Sequence, residues 1–418
     1  MTEYGPASRI VIVGGSIAGL TAARELRAAG FRGTLTVVDR DPLSPYRRPE
    51  VSKKLLTEPI RGRTRLTWPT ELGVELLPAS VEGLDLPRRT LALAGRTAAA
   101  SLPFDGLVIA SGARVRKPPF GNDDRVHWLR SASDAARLRP ALAGCRRLCV
   151  VGGGLIGLEV AALAVSLGKQ AVVVEAARLP MLAVLGAEPA AAQLRMLEER
   201  GVSFRLGATV TGIAGSADIE GAPDQTTADQ RTTTDRTTWV QLASGEDIAA
   251  DVVLIAVGAA PETGWLAGNG LDLTDGVRCD DHCAVIGAAG VVACGDVASW
   301  FNPLLRRQTR VEHWTNAIEQ GSYAARRLLG AHPQAGFASL PYFWSDQGDL
   351  KLQMLGSSEG HDEVAVLESG DASLVAEYRS EGRLLAVAGI NAGPAVMGRR
   401  PEIVRAYQQH SLAGIGLA

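Results

Sequence analysis

Two glycine-spaced turns, each followed by a carboxylate, are the features of this 418-residue chain whose spacing implies chemistry. Gly152, Gly154 and Gly157 form a GxGxxG run between an apolar segment, Arg147-Leu-Cys-Val-Val151, and a small-residue segment, Leu158 to Leu167. In a strand–turn–helix setting the first glycine permits the tight turn and the second lets a pyrophosphate approach the backbone. The third lets helix and strand pack closely. The helix N-terminus then offers amide donors and the positive end of a dipole. Eighteen residues past Gly157, Glu175 closes the next β-branched run, where a carboxylate accepts hydrogen bonds from an adenosine ribose. An acid there disfavours a 2′-phosphate, so NADH is favoured over NADPH; only the neighbouring Arg178 argues the other way.

A near copy lies about 140 residues earlier: Arg9-Ile-Val-Ile-Val13, then Gly14-Gly-Ser-Ile-Ala-Gly19, then an alanine-rich stretch from Leu20 to Ala29. Gly14 and Gly19 keep their places, but Ser16 replaces the middle glycine. The serine takes space at the pyrophosphate, and its hydroxyl offers a phosphate contact. Two acids, Asp39 at the strand end and Asp41 two residues on, compete for the ribose role, and at least one of them serves a turn or cap.

Positioning these turns requires strands and crossover helices. Each glycine run is followed by a helical stretch and another β-branched run, Leu35 to Val38 and Ala171 to Val174. Strand, turn, helix, strand is the unit of a doubly wound parallel α/β sheet, and two such units imply two nucleotide sites. Asp251 to Val257 and Gly287 to Gly295 read as further buried strands, and Lys117-Pro118-Pro119 as a linker. Gly215 to Thr238 is rich in Thr, Asp, Gln and Ala and reads as a solvent-exposed excursion without a catalytic role. Beyond Gly330, alternating segments (350–355, 363–367, 374–378, 384–390) predict an antiparallel sheet, and 401–410 a closing helix.

Composition narrows the class. The length suits about three compact units, and 46% hydrophobic residues suffice to build their cores. A net charge of -2 gives no reason to expect nucleic acid or a membrane surface as partner. Five scattered cysteines do not make a disulfide scaffold, the first residues lack a signal-peptide pattern, and no segment reads as membrane-spanning. A soluble cytoplasmic protein is expected.

Further segments carry a family resemblance, which covers nearly the whole chain, from about Arg9 to Tyr407. The chain resembles the FAD-dependent, NADH-dependent ferredoxin reductases that feed cytochrome P450 and ring-hydroxylating dioxygenase systems, within the glutathione-reductase-like flavoprotein fold. Pro45-Tyr-Arg-Arg-Pro-Glu-Val-Ser-Lys53 is similar to the segment whose arginine and lysine contact the flavin, here Arg48 and Lys53, with Glu50 where proline is usual. Leu107-Val-Ile-Ala-Ser-Gly112 resembles the family's short Ala-Thr-Gly strand end, with Ser111 for threonine, and Ile255-Ala-Val-Gly-Ala-Ala-Pro261 the return to the flavin domain, with Glu262 departing from the usual asparagine. Val291-Val-Ala-Cys-Gly-Asp296 resembles the ribityl motif, and Glu312-His-Trp-Thr-Asn-Ala-Ile-Glu-Gln320 the signature whose tryptophan, here Trp314, sits at the flavin. Phe343-Trp-Ser-Asp-Gln347 resembles the start of the C-terminal interface domain.

The resemblance implies an α/β fold with two doubly wound, Rossmann-like dinucleotide-binding domains plus a C-terminal α+β interface domain. Residues 1–115 and 261–330 would bind FAD, 116–260 NADH, and 331–418 would form the interface domain. It implies cofactor contacts at Val81, Ala110, Gly258, Gly295, Asp296, His313 and Thr315. Lys53, Glu159 and Trp314 are the implied catalytic set, Lys53 and Glu159 pairing beside the nicotinamide and flavin. Disulfide and peroxide reductases of this fold place cysteines early in the first domain, whereas here the first is Cys145, so a thiol relay is not expected. Cys279-Asp-Asp-His-Cys283 fits no common metal spacing, and no metal is expected. Cys145 and Cys149 read as small buried hydrophobes.

The implied reaction passes hydride from NADH to FAD and single electrons to a separate, acidic iron-sulfur ferredoxin. Arg306, Arg307 and Arg310 are a candidate docking patch, with Arg399 and Arg400 in the tail. The competing readings are reduction of rubredoxin, quinone or oxygen, and a redox-switched FAD- and NADH-binding regulator.

Overall fold

The computed structural model describes residues 4–95, 100–120, 125–215 and 237–413. Arg9–Val13 lies at the centre of a parallel five-stranded sheet, flanked by Thr34–Val38 and then Val74–Leu77 on one side, and by Gly106–Ile109 and then Val291–Ala293 on the other. A second parallel sheet repeats the plan around Arg147–Val151, with Gln170–Glu175 and Val202–Leu206 on one side and Val252–Ile255 and Val126–Trp128 on the other. Both central strands are apolar on both faces, as strands covered by helices on either side must be. Their crossover helices are Ile17–Ala28 and Leu155–Ser166.

Each parallel sheet also carries a three-stranded antiparallel excursion, Ala79–Asp85 with Thr90–Gly95 and Ser101–Pro103, and Val210–Gly215 with Thr238–Leu242 and Asp247–Ala250. Gly215 pairs with Thr238, so the polar excursion predicted from the sequence leaves and returns at one rung; residues 216–236 themselves lie outside the described residues. The two parallel sheets are joined by a short antiparallel pair, Ala113–Val115 with Ala259–Pro261.

The C-terminal sheet is antiparallel in the order Tyr342–Gln347, Leu350–Gly356, Arg383–Ile390, Leu374–Ser380, Glu363–Ser369. Its four later strands match the four alternating segments read from the sequence. The predicted closing helix is part of Arg400–Ala413, preceded by a short turn of helix, Gly393–Gly398. Among the described residues, no helix is long and apolar enough to cross a membrane.

Burial links these layers. One apolar core fills the first sheet and includes Val291, Trp300 and Phe337, so the chain returns to that sheet after building the second. Another core combines the helices of the second sheet, the inner face of the C-terminal sheet (Leu352, Tyr378, Ile390) and Val51, Leu55 and Leu56 from the early segment. Those three side chains are at most 4% exposed. At roughly 1.5–3 kcal/mol for each fully buried aliphatic side chain, they pin the segment holding Ser52 and Lys53 against helix Ala132–Gly144.

Candidate active site

Both glycine turns have the backbone geometry that motif requires. Gly14 and Gly152 have φ of +106° and +110°, and a Cβ at either would lie 2.2 Å from the Ala110 carbonyl oxygen or 2.5 Å from that of Ala256. A Cβ at Gly19 or Gly157 would come within 2.0 or 2.1 Å of the carbonyl oxygen of Gly14 or Gly152, so only glycine allows the helix to start there. At the middle position a Cβ on Gly154 meets nothing within 4 Å. That open space explains why Ser16 fits at the equivalent place without disturbing the turn.

The ribose acids fall into matching positions. Glu175 accepts from the Gly153 amide at 2.6 Å and from the Ala177 amide at 2.8 Å. Asp39 accepts from the Gly15 amide at 2.8 Å and the Asp41 amide at 3.0 Å, the same relation in the first unit. Asp41 instead accepts from the Leu43 amide at 3.0 Å and the Tyr46 hydroxyl at 2.8 Å, the contacts of a turn residue. Of the two competing acids, Asp39 therefore shares the position of Glu175.

A cleft of about 1080 Å³ opens from the first cradle. Gly14, Ser16, Asp39, Asp41, Arg48, Lys53, Ala110, Glu159, Gly295, Asp296, His313 and Trp314 all line it, from segments scattered over the chain. Arg48 donates to the Arg130 carbonyl at 2.9 Å and places Nε 3.5 Å from the Ser16 hydroxyl. Arg130, which the sequence reading missed, lines the same cleft and pairs with Asp296. Two guanidiniums beside a helix N-terminus make an anion cradle that suits a pyrophosphate. His313 occupies the N-cap position of helix Trp314–Leu328 and packs against Phe343 with ring centroids 5.3 Å apart. Its Nδ1 is buried without a partner, and desolvation lowers its pKa to about 4, with the Asp296 charge acting the other way. The Arg47 guanidinium sits 5.9 Å from the centre of the Trp314 ring.

At the inner end, Lys53 Nζ lies 2.8 Å from both carboxylate oxygens of Glu159. The lysine is 18% exposed and the glutamate 5%, so the pair is largely withdrawn from water. Glu159 belongs to the helix that starts at the second cradle, while Lys53 belongs to the segment beside the first. Gly152, Gly154, Gly157 and Glu175 do not line the cleft, but Leu155, Ile156 and Glu159 of their helix do. The two nucleotide cradles thus meet at one charge pair. The first cradle, the paired cations and the orphaned His313 nitrogen fit FAD; the second cradle with its ribose acid fits NADH.

Other expected residues stand elsewhere. Val81 packs against the core of the first sheet and the Thr315 hydroxyl faces the Tyr342 carbonyl, so neither lines the cleft. Gly258, at φ +94°, accepts from the Arg116 amide in the connection between the parallel sheets. The arginine patch is largely neutralised: Arg310 pairs with Asp275 and Glu312, Arg307 with Glu359, and Arg399 with Glu377 and Glu402. Arg310 is only 15% exposed, the least accessible of these paired arginines.

All five cysteines are free and buried, and none lines the cleft. Burial pushes the thiols of Cys149 and Cys294 up to about 12 and those of Cys279 and Cys283 far above their ordinary range. Asp280 of the Cys279–Cys283 run accepts from the amides of His282 and Ala284, forming a turn. Among the described residues there is no cluster of three His, Cys, Asp or Glu side chains suited to a metal ion.

Comparison with known proteins agrees with this arrangement. Residues 8–321 match the family described as pyridine nucleotide-disulphide oxidoreductase, and residues 342–412 match a unit described as reductase C-terminal. The ferredoxin–NAD(+) reductase component of the anthranilate 1,2-dioxygenase system of Burkholderia cepacia is 33% identical over 93% of this chain and 92% of its own. The rubredoxin–NAD(+) reductase of Pseudomonas putida is 32% identical over 91% of this chain and 95% of its own. In the crystal structure of the covalent putidaredoxin reductase–putidaredoxin complex, one chain superposes with a TM-score of 0.85 at 28% identity, covering 96% of this chain and 94% of that one. With two nucleotide cradles opening on one cleft and these matches across its length, the chain belongs to the pyridine nucleotide-disulphide oxidoreductase family, completed by a reductase C-terminal unit.

Proposed function

We propose that this protein is an NADH-dependent FAD flavoprotein that reduces an iron-sulfur ferredoxin serving a cytochrome P450 or a ring-hydroxylating oxygenase. The observation that carries the reading is the buried Lys53–Glu159 pair, where the two cradles converge with no thiol in the cleft. When bound, FAD accepts hydride from NADH and releases electrons one at a time, which suits a one-electron carrier.

The chain's own residues supply binding, orientation and charge. The first cradle, Ser16, Arg48 and Arg130 hold the FAD pyrophosphate, and Asp39 its ribose. The second cradle and Glu175 hold NADH and select against a 2′-phosphate. Glu159 keeps the Lys53 ammonium at the inner end, where a fixed positive charge steadies the negative charge that reduction brings. Trp314 and His313 wall the cleft at the start of helix Trp314–Leu328. In this reading residues 1–115 with 261–330 form the FAD domain, 116–260 the NADH domain and 331–418 the interface domain. Five unpaired thiols suit the reducing cytoplasm.

Rubredoxin is the second reading, supported by the similar identity of the rubredoxin reductase. The deciding experiment is anaerobic addition of NADH followed by cytochrome c reduction with and without candidate ferredoxins. Flavin bleaching by NADH and acceleration by a ferredoxin are expected. A flavin that NADH leaves oxidised, or a rate no ferredoxin raises above that of the flavoprotein alone, overturns the proposal. Acceleration by rubredoxin only selects the second reading.

A further inference from the structure

We propose that Ser345, carried by the C-terminal sheet, is a positioning residue of the hydride-transfer site, its hydroxyl proton aimed by Gln347 onto the Glu159 carboxylate that holds Lys53. The inference rests on the reading of the cleft as the place where NADH reduces FAD.

Two separate segments of the chain serve the Glu159 carboxylate. Lys53 reaches both oxygens, and Oε2 also faces the Ser52 hydroxyl, the two partners from the early segment. Oε1 accepts from the Ser345 hydroxyl at 2.8 Å and the Asp346 amide at 3.1 Å, both from strand Tyr342–Gln347. The charged groups facing this carboxylate are Lys53 and, beyond it, Asp346, whose Oδ2 is 4.0 Å from Nζ. A carboxylate this buried is tolerated only when paired and hydrogen-bonded throughout.

A hydroxyl has one proton, and the buried polar chain behind Ser345 decides where that proton goes. Gln347 Nε2 donates to Ser345 Oγ at 3.2 Å, occupying a lone pair and leaving the proton for Glu159. Gln347 Oε1 in turn accepts from Gln193 Nε2 at 2.8 Å, on helix Ala187–Glu199. Ser345, Gln347 and Gln193 are at most 1% exposed. Amide and hydroxyl groups buried this completely are costly unless satisfied; Gln193 Oε1 at the far end has no partner, but from Gln193 Nε2 onward each group donates toward the next until the chain ends on the one anion. The C-terminal unit is therefore a third wall of the reaction site as well as an outer layer: its strand Tyr342–Gln347 adds two donors to the oxygen that Lys53 also reaches.

The test compares wild type, S345A, S345T, Q347A, E159Q and S345A/E159Q as FAD-bound proteins. Three quantities are read: the anaerobic rate of flavin reduction by NADH, the FAD midpoint potential, and Tm. S345A is expected to slow flavin reduction about tenfold and shift the potential, since hydrogen bonds to charged groups lie in that energy range. S345T restores the rate to within about twofold, and Q347A, which frees the hydroxyl without removing it, falls between. On an E159Q background S345A has no further effect on the rate, because the serine acts through that carboxylate. If S345A does not fold, Q347A carries the test. Unchanged rates and potential with a lowered Tm, no rescue by threonine, or an equal S345A effect on the E159Q background overturn the inference. A wild-type flavin that NADH does not reduce overturns the functional reading and this one together, whereas normal reduction in wild type and S345A alike overturns this one alone.

Discussion

Arg130 and Asp296, 166 positions apart, pair inside the cleft and tie the turn after strand Val126–Trp128 of the second sheet to the turn after strand Val291–Ala293 of the first. Burial alone would disfavour the Arg130 cation; the Asp296 carboxylate, with Glu312 behind it, more than offsets that and holds the guanidinium charged. Arg130 also donates to the Ala113 carbonyl at 2.9 Å, and its own carbonyl accepts from Arg48. One arginine thus organises the cation cradle and holds the connecting strand Ala113–Val115.

It follows that R130A should lose FAD more readily than any change to a single cradle amide contact. The expected effect is a rise in FAD dissociation constant of about tenfold or more, since an uncompensated carboxylate is left in the cleft. R130K should recover only part of this, because an ammonium lacks the fork that spans Asp296 and Ala113. Titration of apoprotein with FAD, followed by flavin fluorescence, measures both. Equal affinities for wild type and R130A would count against the assignment.

Coenzyme choice should reside in Glu175. Its two oxygens are already oriented by the Gly153 and Ala177 amides, leaving their remaining lone pairs for a ribose diol. E175A is expected to raise the KM for NADH about tenfold while leaving kcat within about twofold, the pattern of lost uniform binding. The preference for NADH over NADPH should shrink in the same variant, because the charge opposing a 2′-phosphate is gone. Steady-state kinetics with both coenzymes decides it.

The local parts of this design were legible in the sequence, and the long-range parts were not. Gly14, Gly19, Gly152 and Gly157 announce themselves because their reason is a turn closed within a few residues. Glu175 follows from the length of one helix and one strand. Choosing Asp39 over Asp41 needed the direction of the Gly15 amide, which no spacing reveals. Arg130 lies in Leu129-Arg-Ser131, a stretch without a motif, and gains its role only when the fold brings Asp296 to it. The same long-range pairing sets the partners of the arginine patch, since Arg307 meets Glu359 and Arg310 meets Asp275, acids that no local pattern connects to them. Ser52 and Ser345 converge on Glu159 from opposite ends of the chain, which is why only the lysine partner was expected.

The family's description mentions disulphides, yet the thiols here are in the wrong place and the wrong state for a relay. With all five buried and their protons held more tightly than in water, the folded protein should react with a thiol reagent such as DTNB far more slowly than the denatured chain. C279A and C294A should each reduce FAD with NADH at the wild-type rate, whatever they cost in stability. A variant that binds FAD normally but is no longer bleached by NADH would reinstate a thiol step.

His313 gives a pH dependence whose sign can be worked out. Its ordinary value is 6.5 and desolvation brings it to about 4 in the folded protein, so the folded ring stays neutral where the unfolded chain begins to bind a proton. A value lowered by folding means the stabilisation is present in full above pH 6.5 and is lost as pH falls through the window down to about 4. At one pKa unit per 1.4 kcal/mol, the loss across that window is roughly 1–3 kcal/mol, the lower end reflecting the part of the ring that still faces the cleft. H313F keeps a ring against Phe343 and removes the titration. The Tm difference between wild type and H313F should therefore shift in favour of the variant as pH drops from 7 to 4. Parallel Tm curves over that range would show that the ring is hydrated in the folded protein, its unpartnered Nδ1 open to water and free to protonate.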